Sequence, residues 1–418
     1  MKARPKSLYY GWVVAGAAGS IQLANAATAI SILTIFVAPM SEEFGWGRGE
    51  VAGATAAGAI LGAALAPFIG RLVDRFGARV VLTAGGAVIG LACVYLSQMQ
   101  TLLGFYLAFT AARIADQGGV KIAASVSVGK WFQRYRGRVT GLVFFVETAG
   151  VIALAPITHL VIGQWGWRGA WLGLGTLMLA LGVVPCAVWV RRQPEDMGLA
   201  IDGGKPAADA EAGGSTLPAS ADEAQSLTLG EATRTPGFWV ALTALFLGSS
   251  AVAGPGLHLV PYLTERGLSA TAAVSAISVM ATAGAAGAIL SGVAADRVSP
   301  RWLMVALYAT GAAALLLLVQ ADTLAETYAV VILMGLIGTG VNTLTPLMWA
   351  ANYGRGSLGA IHGVGRASQV LGFAVGPLAS GIAYDSAGTY RGVFLALAVV
   401  VLAAAALLAA AGVRSRRR

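Results

Sequence analysis

The chain has 418 residues, of which 57% are hydrophobic and 11% charged, with a formal net charge of +9. An ordinary soluble domain is about one-quarter charged, and a mean hydropathy of +0.74 over this length cannot be hidden in one water-solvated core, because surface grows with size and must be wetted. The composition excludes a soluble enzyme or nucleic-acid-binding domain and demands lipid as solvent; the apolar runs are long and Ala/Leu/Gly/Val-rich, which selects membrane helices over an alternating barrel pattern.

The first apolar run, Tyr10 to Pro39, follows a short basic start and is too long for a signal-peptide core, so it is read as a retained first helix. Breaks at charged or Pro/Gly clusters then give twelve spans, at 10–38, 51–73, 78–98, 102–129, 138–163, 168–190, 237–263, 269–294, 302–320, 325–352, 357–384 and 390–413. This predicts an all-α membrane protein: a six-helix bundle over 1–190, a linker over 191–236 and a second six-helix bundle over 237–418. The middle of the linker, Gly203 to Ser226, is rich in Ala, Gly, Ser, Pro and acids, a composition that cannot offset its ordering entropy. The two cysteines, Cys93 and Cys186, fall inside apolar runs and say nothing about redox compartment.

Placing the N-terminus in the cytoplasm puts 21 of the 28 Lys and Arg on the cytoplasmic side and 4 on the other, with three inside spans. That asymmetry predicts both termini inside, in a bacterial inner membrane. The positive charge is thus a topology signal and an attraction for anionic lipid, with no nucleic-acid partner.

The two halves repeat at a nearly fixed offset. Pro39, Glu43 and Gly45 recur as Pro261, Glu265 and Gly267; Gly70, Asp74, Arg75 and Arg79 recur as Gly292, Asp296, Arg297 and Arg301, all 222 residues later. Gly118 pairs with Gly340, Pro156 with Pro377, and Arg168-Gly-Ala-Trp171 with Arg391-Gly-Val-Phe394. Each half begins on the same side, so the repeats are parallel, related by an axis along the membrane normal.

The segment Gly70-Arg-Leu-Val-Asp74-Arg75-Phe-Gly77-Ala-Arg79 resembles the G-x-L-x-D-R-x-G-x-R/K signature of the major facilitator superfamily. Its residues Gly70, Asp74, Arg75 and Arg79, with Asp296 and Arg297 of the second copy, are expected in gating and structure: glycine permits close helix approach and Asp can accept from a helix N-terminus. Trp131-Phe132-Gln133-Arg134-Tyr135-Arg136-Gly137-Arg138-Val139-Thr140-Gly141 is similar to the monocarboxylate-porter pattern [YF]-F-x-[KR]-R-x-x-A-x-G, departing at Trp131, Tyr135 and Val139. Arg192-Gln-Pro194-Glu195-Asp196-Met-Gly198-Leu199 is similar to bacterial members of that branch, and Tyr10-Gly11-Trp12 faintly to its first-helix motif. The resemblance to the monocarboxylate porter / oxalate–formate antiporter branch implies a secondary transporter of small organic anions, often coupled to protons. The arginine that this family often carries in helix eight is missing, since 270–294 has no basic residue.

Five charges fall inside spans: Arg113, Asp116 and Lys121 on helix four, Glu147 on helix five and Arg366 on helix eleven. Each costs about 2.5–3.5 kcal/mol at the bilayer centre, so they should face the bundle interior. At about 1.5 Å per residue, Lys121, Glu147 and Arg366 come to a common depth, near the midplane. Two positives and one negative suit a monoanion. Arg366 is the expected carboxylate anchor, with Lys121, Asn342, Gln22, Asn25 and Gln369 as further substrate contacts. Glu147, or else Asp116, is the expected proton carrier. The plainer alternatives are a static Lys121–Glu147 bridge, a local Arg113–Asp116 pair at i,i+3 and ordinary helix–helix hydrogen bonds from Gln22, Asn25 and Asn342. His258 and Tyr262 are placed near the outer mouth, His159 near the outer end, and His362 within two turns of the cytoplasmic end. Gly58-x-x-x-Gly62, Gly359-x-x-x-Gly363 and Gly372-x-x-x-Gly376 permit close helix packing.

Neither a G-x-x-x-x-G-K-[ST] loop nor an H-E-x-x-H helix is present, so no enzyme activity and no cofactor are expected. The expected partners are a small organic anion, protons and the bilayer, with the chain as a monomer. A multidrug exporter is the rival within the same fold; the run before Pro156 departs from the G-x-x-x-G-P-x-x-G-G pattern of that group. A sensor that binds without transporting is the rival from another class, and no soluble stretch of this sequence is large enough to carry an output domain.

Overall fold

The computed structural model describes residues 9–203, 226–256 and 258–411. The heart of the expected linker, 204–225, lies outside the described residues. Every regular element among the described residues is helical. We number the helical legs α1 (Tyr10–Phe44), α2 (Arg48–Phe76), α3 (Ala78–Leu96), α4 (102–131), α5 (136–165), α6 (167–189), α7 (236–265), α8 (Ala270–Ala295), α9 (Pro300–Gln320), α10 (Leu324–Tyr353), α11 (Leu358–Ala387) and α12 (Tyr390–Ala410). Nine described runs are long and apolar enough to cross a membrane, one of them holding both α5 and α6. The legs α4, which carries Arg113 and Asp116, and α11, which carries Arg366, complete the set.

Local chemistry explains the ends. Thr323 caps α10 by accepting from the Glu326 amide while Glu326 reaches back to Thr323 N, a reciprocal capping box. Gly45 and Gly388 close α1 and α11 in the left-handed region, where a Cβ is penalised. The α5–α6 connection is a single turn at Gly166 (φ 71°, ψ 170°), so the two legs abut without a loop. Two legs are broken where the sequence predicted continuous spans: α1 tightens at Ala26–Thr28, and α7 stops at Ala253 and restarts at Leu259 after Gly254-Pro255-Gly256. Proline cannot continue the hydrogen-bond ladder, and flanking glycines offer it little support.

The two halves meet on the face that carries the ends of the described chain, here termed the basic face. There α2 crosses α11 and α5 crosses α8 at glycines. A Cβ on Gly70 would lie 2.1 Å from the Gly359 carbonyl oxygen, and one on Gly137 would lie 2.2 Å from that of Gly292. Gly363 and Gly141 continue the two crossings against Ala66 and Ala288. Lipid gives helices no hydrophobic reason to associate, so close backbone approach is what such seams rely on. The same glycine spacings work within each half: Gly58 and Gly62 pack on Arg113 and Gln117 of α4, and Gly372 and Gly376 on Phe246 and Ser250 of α7.

Asp74 and Asp296 lock these crossings symmetrically. Asp74 accepts from the amides of Gly359 and Ala360, both at 2.8 Å, at the start of α11. Asp296 accepts from the Gly137 amide at 2.8 Å and pairs with Arg138 Nε at 2.8 Å, at the start of α5. Each carboxylate thus satisfies orphan donors at a helix N-terminus, where the dipole favours negative charge. Arg75, Arg79 and Arg297 stay exposed on the same face. The segments flanking 204–225 reinforce the closure: Glu195 pairs with Arg355 at 2.8 Å, and Asp202 accepts from the amides of Gln133 and Arg134.

Candidate functional site

On the face opposite the basic face the halves stand apart and enclose a cavity of about 1620 Å³. Glu42, Trp46, His258 and Asp385 ring its mouth; Ile30, Leu33, Val37, Val370, Phe373 and Leu378 form its walls; Arg113, Gln117, Lys121, Asn342 and Arg366 form its floor. Beneath that floor lies the glycine seam, so the chamber is open to one face and shut to the other.

The floor is built on a defect in α4. Residues Ala115–Val120 form a π-helical turn between two α-helical stretches. The wider turn brings Asp116 and Lys121, five residues apart, onto one side, which a regular 3.6-residue turn would not do. Lys121 Nζ lies 2.7 Å from Glu147 Oε1 on α5 and 3.8 Å from Asp116 Oδ1. Arg113 Nη1 pairs with Asp116 Oδ2 at 3.1 Å, Asn25 donates to Asp116 Oδ1 at 2.7 Å, and Gln117 donates to Asp116 Oδ2 at 2.7 Å. Gln22 donates to Glu147 Oε2 at 3.2 Å. The Arg113–Asp116 pair expected from its spacing is present, but as one end of a network that runs on to Lys121 and Glu147.

Arg366 sits apart from those carboxylates. Its Nη1 donates to Asn342 Oδ1 at 3.2 Å and its Nη2 to Gln117 Oε1, while Nε is buried without a hydrogen-bond partner. Both acceptors are neutral amides. Counting the floor and its support, three cations (Arg113, Lys121, Arg366) against two carboxylates (Asp116, Glu147) leave one positive charge, and it is the guanidinium that lacks an ionic partner in contact. A guanidinium offers a planar fork of donors that matches a carboxylate.

Of the residues expected to contact substrate, Arg366, Lys121 and Asn342 line the cavity. Gln22 and Asn25 are buried behind it, orienting Glu147 and Asp116. Gln369 is buried too, donating to Thr345 Oγ1 at 3.0 Å. Gln117 is a floor residue that the sequence analysis did not single out; its only signal was its place one turn before Lys121. Tyr262 is withdrawn from the mouth, with its hydroxyl on the Leu318 carbonyl at 3.0 Å. His258 does reach the mouth. Its Nε2 lies 3.0 Å from the Pro377 carbonyl, which can only accept, so in the neutral ring Nε2 donates and Nδ1 accepts from the Tyr390 hydroxyl at 3.3 Å.

Comparison with known proteins fits this architecture. Residues 19–369 and 275–418 match the sequence profile described as Major Facilitator Superfamily. The chain is similar to mouse Monocarboxylate transporter 11, at 26% identity over 415 residues covering 96% of this chain and 87% of that protein. Among solved structures it is similar to the transporter FucP, described in the outward conformation, with a TM-score of 0.75 at 13% identity over 96% of this chain and 99% of that one. It is also similar to the human organic anion transporter MFSD10 (TETRAN), with a TM-score of 0.72 at 15% identity over 97% of this chain and 100% of that one.

Proposed function

The chain belongs to the Major Facilitator Superfamily, a multi-pass membrane transporter rather than an enzyme, and from that premise we propose that it carries small organic monoanions of the monocarboxylate type by alternating access, coupled to protons. One observation carries the reading: the floor of the open chamber presents Arg366, a buried guanidinium held by two neutral amides. An incoming carboxylate gains charge-assisted hydrogen bonds there without displacing a bonded carboxylate. The name of the mouse relative supports the same class of anion. Net positive charge at the floor disfavours an exporter of cations.

For orientation we place the basic face in the cytoplasm of a bacterial inner membrane. The basic-residue asymmetry supports the side, and the likeness of Arg192 to Leu199 to bacterial members supports the compartment. The conformation described is then outward-open. A single chain holds the whole cavity and its seam, which supports a monomer as the transporting unit. Glu147 is the proton carrier in this scheme: its side chain is 18% exposed, whereas Asp116 is 1% exposed and takes donors from Arg113, Asn25 and Gln117 as well as the charge of Lys121. Opening the chamber or drawing Lys121 toward an anion changes the surroundings of Glu147 first.

The test is a thermal-shift panel of small organic acids on purified protein, followed by counterflow in proteoliposomes with the acids that stabilise it. Stabilisation grows with the logarithm of ligand concentration over Kd. Monocarboxylates should stabilise and exchange; stabilisation by lipophilic cations alone would overturn the assignment.

A further inference from the structure

The side of α11 that lines the cavity continues below its floor. Pro377, Phe373, Val370 and Arg366 line the chamber, and positions three and four apart share a helix face. The next residue on that face toward the basic side is His362. One turn further, Leu358 meets Gly129 of α4 where the seam is shut; a Cβ on Gly129 would lie 2.9 Å from Leu358 Cδ2. His362 therefore sits between the anion floor and the closed gate, 3% exposed, with Nδ1 buried and unpartnered.

Two more buried donors without partners lie on α10, which packs against α11: Trp349 Nε1 and Asn352 Nδ2. Gln369 bonds Thr345, and a Cβ on Gly365 would lie 2.3 Å from Trp349 Nε1. These contacts fix an antiparallel register that brings Asn352 level with His362. Buried polar groups are nearly always bonded, so a cluster of unpartnered donors and a titratable ring, one turn below an anion anchor, points to an acceptor that visits rather than resides.

We infer that His362 is a second station on the pathway, receiving the carboxylate from Arg366 when the α4–α11 seam parts toward the cytoplasm. The inference rests on the carboxylate reading above. In the state described the ring is almost wholly buried, and the α4–α11 seam is shut on its basic side. When the seam opens, a proton from cytoplasmic water adds to the ring, the imidazolium holds the anion, and the proton returns to that water as the anion leaves. Charged and titratable groups near this level on α11 and the elements packed against it include Arg366 on its own helix, Arg355 just before it, Asp116, Lys121 and Lys130 on α4, Asp74 on α2 and Tyr353 on α10. Asp74 is committed to the Gly359 and Ala360 amides, and Asp116 to Arg113, Asn25 and Gln117; neither carboxylate is paired with the ring.

Two readouts test this on the full chain in proteoliposomes. In a background lacking Cys93 and Cys186, His362→Cys should react with a membrane-impermeant thiol reagent from the basic-face side only; no reaction from that side overturns the proposal. In His362→Gln, external binding of pyruvate or benzoate should stay within about twofold of wild type, while the dependence of efflux on internal pH between about 5.5 and 7.5 is lost, as that is the range in which an exposed imidazole titrates. An unchanged internal-pH profile in a monodisperse His362→Gln protein also overturns it. If neither acid binds wild type, the carboxylate reading fails, and the labelling alone decides whether His362 lies on the pathway.

Discussion

Arg366 Nη2 of α11 donates to Oε1 of Gln117 on α4, a bond that ties the two halves together at the floor of the cavity. Because the partner is an amide and not a carboxylate, the tie leaves the guanidinium charge available. Removing that charge by Arg366→Ala should weaken carboxylate binding at least about thirty-fold, equivalent to ~2 kcal/mol. Arg366→Lys should recover little, since a lysine offers a point charge in place of a fork. Titration calorimetry on monodisperse protein checks both; wild-type affinity in Arg366→Ala would remove the anchor.

Asn342 gives a sharper test, because it changes charge without moving Arg366. In Asn342→Asp a carboxylate takes the place of the amide oxygen that now accepts from Arg366 Nη1. That group would compete with the substrate at contact distance, and affinity should fall about tenfold or more, in keeping with a charged hydrogen bond of ~1.5–3 kcal/mol. Asn342→Ala, which removes one neutral acceptor, should cost only a few-fold. Equal losses in the two variants would show that shape and not charge matters at this position.

The membrane class, the repeat and the charged residues that come together within the bundle were legible in the sequence because each rests on a count: apolar run length, a 222-residue offset, or depth at a fixed rise per residue. The shared depth of Lys121, Glu147 and Arg366 emerged that way, and Lys121 and Glu147 are indeed 2.7 Å apart. What counting could not supply was a change in the count itself. The π-turn at Ala115–Val120 shifts the register of α4 midway, so Asp116 joins Lys121 instead of closing a local pair with Arg113 alone. Gln117 was passed over for the same reason. The broken α7 was also missed, although Gly254-Pro255-Gly256 announced it.

The seam at Gly70 should respond to one methyl group. In Gly70→Ala the new Cβ would fall 2.1 Å from the Gly359 carbonyl oxygen, so α2 and α11 must separate on the basic face. Overpacking of this kind costs ~1–3 kcal/mol, enough to move the balance away from the state closed on the basic face about fivefold or more. Labelling of Thr55→Cys, a cavity-wall position, should slow accordingly from the outer side. An unchanged labelling rate would mean that the seam does not set the conformational balance.

Topology has its own measurement. With the basic face in the cytoplasm, Ala210→Cys should resist membrane-impermeant reagents added to intact cells and react once the membrane is permeabilised. Cys93 and Cys186 are buried and give a low background. Ready labelling in intact cells would reverse the orientation and make the open chamber inward-facing.

In the proposed scheme, coupling turns on Glu147. Its carboxylate receives Lys121 at 2.7 Å and Gln22 at 3.2 Å, one partner from its neighbour helix and one from α1. Lys121, its cationic partner, lines the chamber, so a lysine that turns to an incoming anion takes away the charge paired with Glu147. Such a group can load and unload a proton as the transporter cycles. Glu147→Gln keeps the size and the hydrogen bond from Gln22 but holds no titratable proton. It also frees Lys121 from its closest partner, so anion binding should persist or strengthen. The variant should therefore exchange labelled anion at a rate comparable to wild type, while losing accumulation against a gradient when a pH difference is imposed. Survival of pH-driven accumulation in Glu147→Gln would pass the role to Asp116, or leave the proton to travel on the substrate itself; Asp116→Asn, assayed in the same way, separates those two outcomes.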